Sequence, residues 1–381
     1  MQDTGYAPWL ISLAVIVLQA TAIILDIPMG WLTDRIGRKP ILVGSAMSLI
    51  LAAGLMGWNP HIIVYIIGVF CYGLHVVSIF TGSEAILYDT LIVEKKEEMF
   101  GKCYGRGWMF MLSGYAIAIF ASGYLADSLG YRAVFYLSIV PAVICLAITL
   151  LLLEPGLHKS VAQTGKLREA FAVAKAMKHE VLLRALVAIM CLMWATEAFK
   201  EGFGQLYMQR YVDAIPFLPD SMTMTVRVAA VFALFYIVWS VGGLVAGYMG
   251  GRWMHLLIVM SVVPLVIMSM VDQWWSLIGF MVQALAAGAL MVQISVHLQA
   301  AIPSTVRGTV TAIRTFIGRL SSLLPIFLIG VLNNVFDIRY GLWLVTVLSV
   351  AAQVVWIRYW LVACRTASHD DTHVLVSEGS E

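Results

Sequence analysis

Eleven continuous apolar stretches, each close to the length of a membrane crossing, limit what this chain can fold into. They lie at 9–30, 41–58, 62–85, 107–126, 133–153, 182–206, 228–249, 254–271, 275–298, 309–332 and 340–362. A hydrocarbon core takes about 20 apolar residues per helix. Inside lipid the backbone must satisfy its own polar groups, so uninterrupted runs of this length read as helices. A membrane β-barrel would show alternating residues instead. The breaks between runs are short, as at Asn59-Pro60-His61 and Asp272-Gln273, which makes neighbouring spans antiparallel. Of 381 residues, 61% are hydrophobic and 12% charged. That charged share is about half the usual one. An ordinary soluble domain, a disordered tail protein and a nucleic-acid binder are thereby excluded.

The basic residues orient the spans. With Arg35, Arg38 and Lys39 placed inside, 18 of the 24 Lys and Arg residues fall on the same side. The N-terminus is then outside and the C-terminus cytoplasmic, in a multi-pass protein of the plasma or inner membrane. The longest interior loop runs from Glu154 to Glu180 and divides five spans from six. Its segment Lys166 to Lys178 carries Leu167, Phe171, Ala174 and Met177 at helical spacing. Two readings stand for it: a helix on an anionic membrane surface, or a solvated linker. The five cysteines are scattered, without a disulfide framework or zinc spacing. Met1 to Pro8 has no basic n-region of a signal peptide.

After the first span the chain reads Asp26-Ile-Pro28-Met-Gly30-Trp-Leu32-Thr33-Asp34-Arg35-Ile-Gly37-Arg38-Lys39. This resembles the loop signature G-x-L-A-D-R-x-G-R-K of the major facilitator superfamily, with Thr33 in place of Ala. Gly30 and Gly37 permit close approach and a tight turn. Asp34 suits a neighbouring helix N-terminus, where the dipole favours an anion. Arg38 suits a carboxylate at the end of another helix. Thr81 to Leu91, and the Asp26-x-Pro28-x-Gly30 run, resemble a subgroup of bacterial efflux permeases in that superfamily. Gly105 to Gly123 and Arg307 to Arg319 resemble its fifth and eleventh helices. Gly243 to Arg252, the second-half counterpart of the signature, is degenerate: it holds one Arg and no Asp.

The resemblance implies an all-α, polytopic membrane helix bundle that moves a small molecule and is not an enzyme. Two departures accompany it. The signature follows the first span, where the family has it after the second, so the family's first helix is missing. A truncated relic, a partner-binding subunit and a misassigned start site are the readings of that shortfall. The fifth helix also lacks the family's Gly-Pro antiporter pair. The expected architecture is eleven transmembrane helices in two pseudo-symmetric bundles. Residues 1–153 form the first bundle, 154–180 a cytoplasmic linker, 181–366 the second bundle and 367–381 a disordered tail.

Ionisable residues inside a membrane are costly and mark function by default. Asp26, Glu84, Glu197, Lys200, Glu201 and Arg319 are the candidates for substrate or proton coupling. Glu84 and Asp89 are five residues apart and so lie on different helix faces. Asp89, nearer the interface, is the better partner for Arg38. Gly30, Asp34, Arg35, Gly37, Arg38, Lys39 and Asp89 form the candidate gating motif. Glu197, Lys200 and Glu201 are spaced to neutralise one another on one face. Arg319 lies about 15 Å into its span at helical rise and needs a carboxylate, from Glu197 or Asp26. His75 and His297 read as packing residues, Gln19, Gln283 and Gln293 as interhelical hydrogen bonders or path-lining groups. No HExxH, GxSxG, P-loop or metal spacing is present. The reading is a monomeric secondary transporter without cofactor or nucleic-acid partner. It exports a small amphipathic compound against protons by alternating access. Import of a small solute, or a truncated non-transporting protein, are the alternatives.

Overall fold

The computed structural model describes residues 8–58, 61–154, 204–216, 218–249, 253–301 and 307–335, with isolated positions between 340 and 351. Everything in these segments is helix or short connection. The helices are α1 (Pro8–Ile36), α2 (Arg38–Trp58), α3 (Ile62–Val93), α4 (Phe100–Leu129), α5 (Tyr131–Leu151), α6 (Gln205–Tyr211), α7 (Met224–Ala246), α8 (Met254–Met270), α9 (Ser276–Ala301) and α10 (Arg307–Val335). Several outrun their apolar stretches. α3 continues eight residues beyond position 85 and carries Asp89 into the fold.

Among the described residues six helices are long and apolar enough to cross a membrane. The eleven expected spans are thus not all met among the described residues. α8 has 17 residues, one short of that length. α1 and α10 have 29 each and are not among the six; their charges sit toward one end, Asp26, Asp34 and Arg35 in the last part of α1 and Arg307, Arg314 and Arg319 in the first part of α10. Most of 182–206 and of 340–362 lies outside the described residues, as do the 155–180 part of the expected linker and the tail. Glu197, Lys200 and Glu201 lie there too.

Helices α1, α2, α3 and α5 interlock through small residues. α2 runs antiparallel to α3, with Gly68 against Met56 and Gly82 against Leu42. His75 of α3 reaches Ser45 of α2 through Nδ1 at 2.9 Å. α1 runs alongside α3, where Gly73 receives Thr21 and Leu18. α5 closes back on α2, with Phe135 and Tyr136 against Gly57. In the second half α7 and α9 pack side by side. Gln293 of α9 donates to the carbonyls of Ala246 and Met249 at 2.7 and 2.8 Å, and His297 uses its own helix's Gln293 carbonyl. His75 and Gln293 thus make interhelical hydrogen bonds, and His297 makes one within its own helix.

Two seams join the halves. The first is between α4 and α7 and is apolar. Trp108, Leu112 and Ala116 recur every fourth residue on one buried face of α4, the helical period. Gly101 and Gly105 face Gly247 and Gly243 so closely that a Cβ on Gly105 would sit 2.6 Å from the Gly243 carbonyl oxygen. Gly123 abuts Ala229 two turns from the other end. The second seam, between α1 and α10, is charged.

Candidate functional site

The charged seam lies toward the end of the fold where the loop signature turns from α1 into α2. Gly37 makes that turn with φ +104°, a left-handed value that suits Gly. Glu154, just after α5, closes it. Its Oε1 accepts the Arg38 backbone N–H at 2.6 Å, at the electropositive start of α2. Thr33 is buried, and its hydroxyl donates to the Met29 carbonyl at 2.7 Å. Gly30 is buried in α1. Arg35 is exposed, 5.1 Å over the Trp31 ring, and Lys39 is half-buried.

Four carboxylates from the first half meet the second half here, none more than 5% exposed. Asp34 sits at the N-terminus of α10. Its Oδ2 accepts both the backbone N–H and the hydroxyl of Thr309, each at 2.7 Å. Thr309 is in the first turn, where backbone N–H groups have no partner inside the helix. Asp89 is bound by two guanidinium groups at once, Arg38 from α2 and Arg307 from α10. Arg307 also lies 4.4 Å over the Tyr88 ring. Glu84 accepts from Tyr104 at 3.0 Å, Gln299 at 2.6 Å and both Nη atoms of Arg314 at 3.0 and 3.4 Å. Asp26 accepts from Nε of Arg319 at 3.1 Å. Three of these carboxylates, Asp26, Glu84 and Asp89, thus pair with four guanidinium groups, and three of those four arginines come from α10.

Helix geometry sorts these contacts. Arg307 and Arg314 are seven residues apart, about two turns, so they share a face. That face meets α3. Arg319, five residues further, is rotated about 140° from Arg314 and meets α1. Of the two acids considered for Arg319, Asp26 is in contact with it, and Glu197 lies outside the described residues. Arg307 and Arg314 fall with the interior basic residues when the chain is read as a sequence. The fold instead turns both into the protein, so neither is a surface charge. Thr309, Tyr104, Gln299 and Glu154 carry no signal as isolated sequence residues. Only the Arg307/Arg314 spacing of two turns was open to reading. Among the described residues no group of three His, Cys, Asp or Glu could hold a metal ion.

Thr309→Val tests the Asp34 contact. The backbone N–H remains and one charge-assisted hydrogen bond is lost, worth about 1.5–3 kcal/mol. A lower melting temperature in detergent is the expected result, and an unchanged one would show that the hydroxyl adds nothing.

The arrangement has relatives. Residues 1–324 match the family described as the Major Facilitator Superfamily. Over 136 residues the chain is 31% identical to the MFS-type efflux transporter pyiT of Pyricularia grisea, covering 36% of this chain and 21% of that protein. It is 36% identical over 76 residues to the multidrug resistance protein MdtL of Vibrio parahaemolyticus, 20% of this chain and 19% of that one. It is 25% identical over 189 residues to the inner membrane transport protein YajR of Escherichia coli, 49% of this chain and 40% of that one. The chain thus spans well under half the length of these curated relatives. The fold is similar to that of the proton:xylose symporter XylE, with TM-score 0.68 and 13% identity over 91% of this chain and 85% of that one. It is similar also to the transporter FucP in its outward conformation, with TM-score 0.65 and 14% identity over 91% and 89%. The match over most of its length and the all-helical polytopic fold place this multi-pass membrane protein in the major facilitator superfamily.

Proposed function

We propose that the chain is a secondary transporter of a small solute that works by alternating access. In this reading eleven spans form two bundles, residues 1–153 and 181–366, joined by the cytoplasmic linker 154–180. The signature end faces the cytoplasm, with the N-terminus outside. The bundles rock about the glycine-lined α4–α7 seam, while the charged seam locks the cytoplasmic end and releases it. The observation that carries this is the partition of charge. Every acid of the lock comes from α1 or α3, and three of its four arginines come from α10. Such a contact holds one arrangement of two rigid bodies and dissolves in the other.

Protons are the coupling ion in this reading, since buried carboxylates supply groups that can bind and release them. Movement of a small solute together with a proton parallels the proton:xylose symporter XylE, whose fold is similar. Export of a small amphipathic compound is the second reading, favoured by the names of the efflux and multidrug-resistance relatives.

Spin labels test the alternating motion without a substrate. One pair is placed at exposed Ile36 and Leu256, near the lock, and another at exposed Trp58 and Met270, at the far end. The host is the full chain with its native cysteines replaced. Pulsed-EPR distances are expected to change reciprocally, one pair widening as the other narrows. Distances that never exchange would overturn the reading. Direction is then read in proteoliposomes with an internal pH dye, using D-xylose and ethidium as probes. Solute entering with protons supports uptake, and ethidium leaving against protons supports export.

A further inference from the structure

Among the described residues, two cations beside the α4–α7 seam have no anion. Lys102 and Arg106 are exposed and one turn apart on α4, so they share a face. Both converge on Tyr248, just after α7. Arg106 donates from Nη2 to the Tyr248 hydroxyl at 2.9 Å, and Lys102 Nζ lies 5.8 Å from the centre of the Tyr248 ring. Like charges at this spacing repel. A snorkelling cation reaches for water, whereas these two bend toward one aromatic side chain of the other half. Their place is defined by the seam. Gly101 and Gly105 face α7, and Lys102 and Arg106 follow each by one residue, about 100° around the helix. Tyr104, rotated the other way, points inward to Glu84. The apolar stretch 107–126 begins one residue after Arg106, which puts both cations at headgroup level. Phe110 and Ile117 continue their face along α4, exposed at 70% and 71%, with exposed Val241 and Ile237 beside them on α7. A pair of cations thus stands at the head of an apolar strip that runs along both halves.

We propose that Lys102, Arg106 and Tyr248 bind the headgroup of one anionic phospholipid, and that this lipid clasps α4 to α7 and favours the closed signature end. Basic pockets between membrane helices suit anionic headgroups. The Lys102 ammonium and the remaining N–H groups of Arg106 donate to the phosphate oxygens, and Tyr248 keeps its own O–H to donate. An acyl chain lies along Phe110, Ile117 and Val241. A zwitterionic lipid carries a phosphate too, but its ammonium group is repelled by the two cations. The clasp, unlike the binding, rests on the alternating-access reading. Arg106 belongs to the first half and Tyr248 to the second. Parting the halves at this end separates them, so the site is assembled only when that end is closed. A ligand that binds one of two states shifts the balance toward it.

The acids near this patch are accounted for. Glu97 and Glu98 stand in the turn before α4 and pair with neither cation. Glu94 is bound to Lys96. Glu84 and Asp89 are buried on the inner side with their own arginines. Further acids, Glu169 and Glu180 of the expected linker among them, lie outside the described residues. The full chain carries all of them, so an acid that sat on the patch would abolish the preference for anionic lipid.

Native mass spectrometry of the full chain in detergent reads the binding, with phosphatidylglycerol and phosphatidylcholine of the same acyl chains as probes. The wild type is expected to retain phosphatidylglycerol in preference. Each cation near an anionic headgroup is worth about fivefold in affinity, so Lys102→Gln with Arg106→Gln should weaken that binding by about 25-fold. Lys95→Gln with Lys96→Gln removes the same charge from the preceding loop and should keep it. Lys102→Arg with Arg106→Lys preserves both charges and should keep it too, which guards against a folding defect in the neutral pair. Equal binding of the two lipids by the wild type, or equal weakening by both neutral pairs, overturns the proposal. The Ile36/Leu256 spin labels are then read in nanodiscs of each lipid. The closed population is expected to rise with phosphatidylglycerol in the wild type and not in Lys102→Gln with Arg106→Gln. A selective lipid that leaves this population unmoved, while distances still exchange, overturns the clasp and leaves alternating access standing. Distances that exchange in neither lipid overturn alternating access, and the mass measurement still decides the binding.

Discussion

Asp89→Asn is expected to be the most damaging single change in the charged seam. It removes the negative charge that two buried guanidinium groups share, Arg38 and Arg307. Removing one partner of a buried ion pair costs about 3–5 kcal/mol, because the other charge is left uncompensated. Here two are left. The melting temperature in detergent should fall sharply, and the closed population of the Ile36/Leu256 pair should fall with it. Adding Arg307→Met removes one of the two guanidinium groups and should recover part of the loss. If Asp89→Asn alone left both readouts unchanged, the Arg38–Asp89–Arg307 triad would not be holding the seam. Asp89→Glu keeps the charge and serves as the folding control.

Gly105→Leu should have the largest effect at the other seam. Even a Cβ at this position would meet the Gly243 carbonyl oxygen at 2.6 Å and the Gly247 backbone at 3.4 Å. The obstacle is backbone, so it cannot rotate away as a side chain would. Overpacking a close contact costs about 1–3 kcal/mol, and a branched side chain here forces α4 from α7. A lower melting temperature and loss of the reciprocal distance change are expected together. Gly107→Ala is the comparison. Gly107 lies on the same helix, and a Cβ there would meet nothing within 4 Å. Ala is also the better helix former. This change should be neutral or slightly stabilising. Equal damage from both substitutions would show that the close α4–α7 approach is not what matters.

Much of the scaffold was readable because membrane helices write themselves locally. Apolar runs near the bilayer length fix helix number and place, since backbone pairing in lipid leaves few other solutions. α2, α3, α5, α7 and α9 follow from that rule alone. It says less where charge enters a helix, as toward the end of α1 and the start of α10. Those are the helices that carry the seam, so the charged parts of the spans coincide with the candidate site. The partners expected for Asp34, Arg38 and Arg319 were legible for a related reason. A carboxylate next to a signature turn, or an Arg deep in a span, has few tolerable environments.

The rest depended on distance across the fold. Nothing local ties Glu84 to Arg314, 230 positions away, or Glu154 to the Arg38 backbone, 116 away. Glu84 and Asp26 look alike in the sequence, each one acid in an apolar helix. They differ only because Tyr104, Gln299 and Arg314 converge on Glu84 from three other helices, whereas Asp26 receives one nitrogen. The sequence by itself determined the helices, their membrane setting and the residues too costly to bury without purpose, because those are sums over neighbouring residues. The tertiary structure alone decided which charge meets which, and which oxygen is left without a donor. Hydrogen-bond donors act over about 3 Å, and that range is reached only after the helices have packed.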